Sequence, residues 1–215
     1  MPAVLEHFAR LPLPERAFVR ARLASAPLQQ VATRVRGGRV LDVGCGHGLL
    51  CALLHEDDPN REVVGLDPDP RKIAWARASI GRAPRSHFEV GTCEQLAAQA
   101  PRPFDTVVIC DVLYLLDADA QRSCLAACHR VLGPGGRLLL KEAEDDGGWR
   151  TRKALLQERV MVRVLGRTRS SGALRFLPRD RTVALLEATG FRVDEVEALS
   201  RRSTTPHVLF VASKA

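Results

Sequence analysis

The stretch that decides the fold of this chain is Val40-Leu41-Asp42-Val43-Gly44-Cys45-Gly46-His47-Gly48. An apolar run ends at Val43, and glycines follow at alternate positions from Gly44 to Gly48. Glycine lets a backbone turn sharply and lets a ligand approach it closely. A helix that begins directly after such a turn presents unpaired backbone N–H groups. The stretch therefore predicts a buried strand that ends in a ligand-binding turn.

An acid follows at the end of the next apolar run. Asp67 comes directly after Glu62–Leu66 (EVVGL), at the offset of about 20 residues at which nucleotide-binding folds carry a ribose-binding acid. A carboxylate there can accept two hydrogen bonds from the 2′,3′-diol of a ribose. The glycine turn and Asp67 together predict an adenosine-bearing ligand across the ends of the first two strands. Taken alone, the glycine stretch also fits a plain tight turn with Asp42 as a helix cap.

The glycine spacing argues against a nicotinamide cofactor without excluding one. A dinucleotide fingerprint has the spacing G-x-G-x-x-G, whereas this chain has G-x-G-x-G and carries Leu49 where the third glycine would fall. Asp42 would also sit poorly beside a pyrophosphate. A carboxylate at that position suits a ligand with a positive amino group and a sulfonium.

Strands and helices are predicted to alternate from about residue 38 onward. The strands are continuous apolar runs, which is typical of a parallel sheet covered by helices on both faces. The predicted strands are Arg39–Val43, Glu62–Leu66, His87–Val90, Thr106–Cys110, Arg137–Leu140, Phe191–Ala198 and Val208–Ala212. The predicted helices of this part are Leu49–Leu54, Pro70 to about Gly81, 119–132 and Arg179–Thr189.

The 215 residues fit one domain of four parts. The parts are a helical N-terminal lid (1–36), a cofactor-binding half (37–143), a substrate-cover insertion (144–177) and a closing helix with a β-hairpin (178–215). Pro12, Pro14 and Pro27 are expected to break the helical lid. The insertion is predicted to hold a helix at about 150–165.

Five segments in order resemble the motifs of class I S-adenosylmethionine-dependent methyltransferases. They are LDVGCGHG with VVGLDPDP, FEVGTCEQL, PFDTVVICDVLYLL, LGPGGRLLLKE, and GFRVDEVEAL with PHVLFVASK. The resemblance implies a Rossmann-like three-layer α/β sandwich with a seven-stranded, mostly parallel sheet in the order 3-2-1-4-5-7-6, strand 7 being antiparallel. It also implies S-adenosyl-L-methionine as cofactor and methyl transfer to a small-molecule acceptor. Chains with a similar LLLKE segment point to an acceptor from secondary or lipid-type metabolism.

The resemblance also assigns cofactor contacts. Asp42 would support the turn or the methionyl amine, Asp67 would take the ribose hydroxyls, and Pro68 would pack beside the adenine. Many relatives carry an Asp after the third strand to bind the adenine amino group. This chain has Gly91-Thr92-Cys93 there, so we assign that contact to Thr92 and Cys93. The full predicted set is Asp42, Gly44, Cys45, Gly46, Asp67, Pro68, Thr92, Cys93, Cys110 and Asp111.

Catalytic candidates are expected at the carboxyl rim of the sheet, where α/β folds bind ligands. We predict His207, Tyr114 and Glu142, and we prefer His207 as general base because an unperturbed imidazole pKa of about 6.5 suits proton removal. The alternative for His207 is a loop histidine beside Pro206. An apolar acceptor pocket is predicted from Phe18, Tyr114, Trp149, Leu156 and Met161, of which the last two also fit ordinary helix packing.

The net charge of +7 comes largely from arginine. Such a surface could attract nucleic acid, but acids are interleaved with the arginines and only ten aromatic residues are available to stack on bases. We therefore expect no nucleic-acid partner. An RNA or protein methyltransferase and a non-catalytic S-adenosylmethionine-binding protein stay open as alternatives.

The cysteines argue against a metal-binding protein, and the apolar runs argue against a membrane-spanning or secreted one. Cys124 and Cys128 are spaced one helical turn apart, but no second ligand pair with zinc-like spacing accompanies them, so we predict no metal site. No apolar run approaches the ~18 residues that a membrane span needs, and the N-terminal residues lack the apolar core of a signal peptide. We expect a cytoplasmic protein with no membrane span.

Overall fold

The structure is a computed structural model, and it describes residues 3–143, 176–199 and 206–214. The helix predicted at about 150–165, and with it Trp149, Leu156 and Met161, lies outside the described residues. Within the described ranges, no helix combines the length and the apolar character needed to cross a membrane.

Seven strands form one sheet in the order β3-β2-β1-β4-β5-β7-β6. They are β1 (Arg39–Val43), β2 (Glu62–Asp67), β3 (Ser86–Val90), β4 (Phe104–Cys110), β5 (Leu132–Ala143), β6 (Phe191–Leu199) and β7 (His207–Lys214). All neighbouring strands from β3 to β5 pair in parallel, whereas β7 pairs antiparallel with both β5 and β6. The predicted fold and strand order are confirmed.

Helices cover both faces of the sheet. They are α1 (Leu13–Ser25), α2 (Leu28–Ala32), α3 (Leu49–Asp57), α4 (Pro70–Ala78), α5 (Cys93–Ala98), α6 (Ala118–Val131) and α7 (Arg179–Ala188). Successive strand residues point to opposite faces, so Val40 packs with the core beneath α1 to α4 while Leu41 packs with the core beneath α5 to α7. The result is a three-layer sandwich with two hydrophobic cores.

The N-terminal lid consists of a 3-10 helix (Ala3–Phe8), α1 and α2, and a proline stands at the start of each of the two α-helices. Pro12 stands directly before α1, Pro14 lies in its first turn, and Pro27 stands directly before α2. The first turn of a helix tolerates proline because its N–H groups have no partner within the helix. The expectation that the prolines interrupt the lid is therefore confirmed at Pro12 and Pro27, whereas Pro14 lies within the first turn of α1.

One predicted helix boundary shifts, and one helix was not predicted. Asp69 caps α4 as predicted, with its Oδ1 accepting from the backbone N–H of Arg71 at 2.9 Å, but α4 ends at Ala78, short of Gly81. Helix α5 was not predicted, although the capping box formed by Thr92 and Gln95 marks its start.

Candidate active site

A cleft of about 600 Å³ opens where β1, β2 and β4 end, and α1 forms its opposite wall. Carboxyl ends of parallel strands meet at one edge of a sheet, which is where α/β folds bind ligands. Eight of the ten predicted cofactor residues line this cleft: Asp42, Gly44, Cys45, Gly46, Asp67, Pro68, Cys110 and Asp111.

The glycine turn after β1 is fixed by hydrogen bonds to β2. The backbone N–H groups of Gly44 and Cys45 both donate to the carbonyl of Leu66, with N–O distances of 2.7 and 2.9 Å. Gly44 has a φ of +76°, and a Cβ there would stand 2.4 Å from Cγ2 of Val112. Only glycine fits this position without strain.

Asp67 is held between the two loops that border the cleft. Its Oδ2 accepts from the backbone N–H of Gly46 at 3.1 Å, and its Oδ1 accepts from that of Asp69 at 2.9 Å. The Nζ of Lys72 lies 3.7 Å from the same Oδ2. Each carboxylate oxygen carries two lone pairs, so this fixed carboxylate has capacity for a pair of ligand hydroxyls.

Asp42 is a buried acid beside Asp67. It is 2% exposed, and its Oδ2 accepts from the Cys51 thiol at 3.3 Å. Burial raises the pKa of Asp42 to about 7; the Cys51 hydrogen bond opposes this shift, and the charge of Asp67 adds to it. A cationic ligand group placed in the cleft would favour the ionised carboxylate.

Asp111, at the end of β4, is held by two cations. It adopts a left-handed backbone with a φ of +58°, and Lys141 Nζ donates to its Oδ1 and Oδ2 at 2.7 and 2.6 Å. Arg22 of α1 also pairs with this carboxylate. Burial acts to raise the pKa of Asp111, but Lys141 and Arg22 outweigh it and hold that pKa well below its usual range.

Of the three predicted catalytic residues, only Tyr114 lines the cleft. Its ring packs edge-on against Phe176, with 5.0 Å between ring centroids. Glu142 instead supports the loop after β4: its Oε1 accepts from the backbone N–H groups of Val112 and Leu113, each at 2.9 Å. Burial, together with the charge of Asp111, raises the pKa of Glu142 to about 8.

His207 begins β7 beside the charged cluster and is not among the described residues that line the cleft. Burial and the charges of Lys141 and Arg22 lower its pKa to about 4, against the opposing effect of Asp111. At neutral pH the imidazole is therefore uncharged and a weaker base than a solvent-exposed histidine. Its role as general base stays a prediction.

Thr92 and Cys93 are likewise not among the residues that line the cleft. Thr92 caps α5, and the Cys93 Sγ lies 3.6 Å from the Cys128 Sγ in the core between α5 and α6. Their assigned contact with an adenine stays a prediction. All six cysteines are free thiols. Among the residues described here, no cluster of three or more His, Cys, Asp or Glu side chains could hold a metal ion.

Helix α1 contributes Glu15, which the sequence did not single out, together with the predicted Phe18. Oε2 of Glu15 lies 2.8 Å from Nε2 of His47, the histidine of the glycine turn. Phe18, predicted for the acceptor pocket, lines the cleft, and its ring centroid lies 5.2 Å from that of His47. No local pattern marks these contacts, because Glu15 and His47 are 32 positions apart in the chain.

Residues 40–136 match the family model of a methyltransferase domain, and they span the glycine turn, Asp67 and the β4 end just described. Over this stretch the chain is similar to methyltransferase domains. Among curated proteins, the ubiquinone biosynthesis O-methyltransferase of Xanthomonas euvesicatoria pv. vesicatoria (strain 85-10) is 36% identical over 116 residues, which cover 53% of this chain and 47% of that protein. The chain thus spans about half the length of the curated relatives it matches.

Solved structures share the architecture of this chain. The mitomycin 7-O-methyltransferase MmcR has a TM-score of 0.72 at 22% identity, over 99% of this chain and 60% of that one. A putative methyltransferase of Haloferax volcanii, solved with the Trm112 activator, has a TM-score of 0.72 at 18% identity, over 92% and 93% of the two chains. At these identities the likeness establishes the fold alone.

Proposed function

We propose that this domain transfers a methyl group from S-adenosyl-L-methionine to a hydroxyl group of a small aromatic acceptor. The observation that carries the proposal is the pair of buried carboxyls, Asp42 and Asp67, at the glycine turn between β1 and β2. This pair offers one acid to a ribose and another to a cationic amine.

The residues of the cleft fit this cofactor. The space beside Gly46 is open, since a Cβ built there meets nothing within 4 Å, so the ligand can lie directly against the turn. Asp67 would hold the ribose hydroxyls, Pro68 the adenine and Asp42 the amino group. The bound cofactor supplies a methyl group activated by its positive sulfur, and Cys110 and Asp111 would border that end.

The domain's own contribution is mainly proximity and orientation. Methyl transfer is an in-line displacement. Holding the two reactants close together and correctly oriented can lower the activation barrier by about 7–11 kcal/mol in favourable cases. The β4 end with its Asp111 carboxylate and the α1 wall with Phe18 face each other across the cleft. They would fix the acceptor on the far side of the methyl group.

The acceptor end of the cleft favours an aromatic hydroxyl. Its walls carry Phe18, Tyr114, Leu115 and Leu116, which suit a flat apolar ring. The nearby His207, with its pKa lowered to about 4, holds a proton poorly. A phenol, with a pKa of about 10 as in tyrosine, gives up its proton far more readily than an aliphatic alcohol and so depends less on a strong base.

The names of the relatives support oxygen as the atom that is methylated. The Xanthomonas protein is an O-methyltransferase of ubiquinone biosynthesis, and MmcR is a mitomycin 7-O-methyltransferase. Both names place the methyl group on oxygen, and we carry that feature over to this chain as part of the proposal.

The test is methyl transfer from methyl-labelled S-adenosylmethionine to a panel of monohydric phenols, catechols, aliphatic alcohols and total RNA. We expect label in the phenols or catechols and a loss of at least tenfold in the Asp67→Ala variant, with Gly38→Ala as an exposed control. Label in RNA alone would replace the small-molecule acceptor with the nucleic-acid alternative. Binding of the cofactor with no transfer to any class would favour a non-catalytic binding protein.

A further inference from the structure

Lys141 is a buried cation, and among the described residues its side chain pairs with the carboxylate of Asp111. Its side chain is 0% exposed, and Nζ reaches both oxygens of Asp111. The backbone reinforces the pairing, since the N–H of Asp111 donates to the carbonyl of Lys141 at 2.9 Å. Burying a lysine is costly unless the partner geometry is good, so a residue with only a packing role would be better served by an apolar side chain.

The same carboxylate is shared with helix α1. Arg22 reaches across the cleft to Oδ2 of Asp111, so Asp111 joins the β4 end, the β5 end and the α1 wall. The other titratable groups that act on this cluster are His207 of β7, Cys110 of β4 and Glu142 of β5. None of these three pairs directly with the Asp111 carboxylate among the described contacts.

We propose that Lys141 is a positioning residue that holds the Asp111 carboxylate on the wall of the cleft, where it docks α1 through Arg22 and faces the methyl-transfer end of the proposed cofactor. The inference rests on the proposed function for its catalytic part. Its structural part, the coupling of Lys141 to Asp111, does not depend on which cofactor is bound.

Loss of either Lys141 or Asp111 leaves the other residue buried without its main counter-charge. Without the ammonium group, burial is opposed at Asp111 mainly by the partly exposed Arg22, so the pKa of Asp111 rises and the carboxylate takes up a proton at mildly acidic pH. A protonated Asp111 has no charge to hold Arg22 or to face a cationic cofactor. Loss of Asp111 alone has the converse effect, because it leaves the Lys141 cation buried without its counter-charge.

The test is a double-mutant cycle of Lys141→Met, Asp111→Asn and the combined variant, with Lys214→Met as the matched control. Lys214 is a partly buried lysine on β7 whose Nζ donates to the carbonyl of Leu132 at 2.7 Å, in the half of the sheet away from the cleft. Thermal unfolding is measured for all variants. Titration with S-adenosyl-L-methionine and with S-adenosylhomocysteine, and the kcat and KM for methyl transfer, are measured from pH 5.5 to 8.5.

We expect each single variant of the pair to lower the Tm by about 5 °C or more, and the combined variant to be more stable than either single one. In Lys141→Met, the Kd for S-adenosyl-L-methionine should rise at least tenfold at pH 6 and less at pH 8, whereas Lys214→Met should keep the wild-type pH profile. Additive Tm losses, or a Kd profile in Lys141→Met parallel to that of the wild type, would overturn the positioning role.

Failure of the proposed function gives a different result. If the wild type itself bound no S-adenosylhomocysteine while the Tm values of the cycle stayed strongly non-additive, the Lys141–Asp111 coupling would stand and the methyltransferase assignment would fall. If the wild type bound S-adenosylhomocysteine and the Tm losses of the cycle were additive, the methyltransferase assignment would stand and the Lys141–Asp111 coupling would fall.

Discussion

Oδ2 of Asp67 accepts a hydrogen bond from the backbone N–H of Gly46, at 3.1 Å and across 21 positions of the chain. This bond ties the acid at the end of β2 to the glycine turn at the end of β1. The two sequence features that predict an adenosine ligand are therefore one physical unit, in which the turn orients the acid and the acid fixes the turn.

The first prediction concerns Gly44. Replacing it with alanine puts a Cβ in a left-handed conformation, which costs about 1–2 kcal/mol, and brings that atom 2.4 Å from Cγ2 of Val112. We expect Gly44→Ala to lower the Tm by several degrees and to weaken S-adenosylhomocysteine binding at least tenfold, both measurable by calorimetry.

Gly38→Ala is the matched control for this prediction. A Cβ at Gly38 meets nothing within 4 Å, and its φ lies outside the positive region, so its Tm and affinity should stay near those of the wild type. Adding Val112→Ala to Gly44→Ala should recover part of the loss by removing the clash. Equal Tm values and equal affinities for Gly44→Ala and Gly38→Ala would show that the turn does not require glycine at position 44.

The second prediction is a pH dependence of cofactor binding caused by Asp42. Its pKa is about 7 in the free protein, and a bound cationic amine should lower it, so the complex holds fewer protons than the free protein. By linkage, the Kd should then fall as pH rises, by up to about tenfold per unit between pH 5.5 and 7, and level off above 7. Binding at pH 6 should release a proton, which titration in buffers of different ionisation enthalpy detects.

Asp42→Asn should abolish that slope. It should also stabilise the apo protein at pH 8 but not at pH 4. The folded wild type keeps its Asp42 proton up to about pH 7 while the unfolded chain loses it near pH 4, so the stability of the wild type declines across this window. A slope that persists in Asp42→Asn would assign the pH dependence to another group.

The third prediction tests whether Glu142 supports the loop after β4 or acts as a general base. Glutamine keeps a carbonyl oxygen that can accept from the N–H groups of Val112 and Leu113, so Glu142→Gln should leave kcat within about threefold of the wild type. A general base would instead cost about 10²–10⁴-fold in rate when neutralised. Glu142→Ala removes the acceptor altogether, and we expect it to lower the Tm and raise the KM.

The resemblance to class I methyltransferases implied the sheet order, and local spacing was enough to predict most of the acids and glycines that line the cleft. Asp42, Gly44 and Asp67 stand at fixed offsets from strand ends, so their convergence follows from the parallel sheet alone. The pairing of Arg22 with Asp111 joins residues 89 positions apart and has no local signature. The lowered pKa of His207 likewise depends on burial and on cations from α1 and β5, which only the folded arrangement brings about.

The measurement that tests the central claim most directly is calorimetric titration of S-adenosylhomocysteine into the wild type and Asp67→Ala, with NADH titrated in parallel. Hydrogen bonds to a charged group contribute about 1.5–3 kcal/mol, so we predict saturable binding to the wild type, a Kd weakened roughly 10–150-fold in Asp67→Ala, and no NADH binding. Absence of S-adenosylhomocysteine binding to the wild type, or equal binding to both proteins, would contradict the assignment of this cleft.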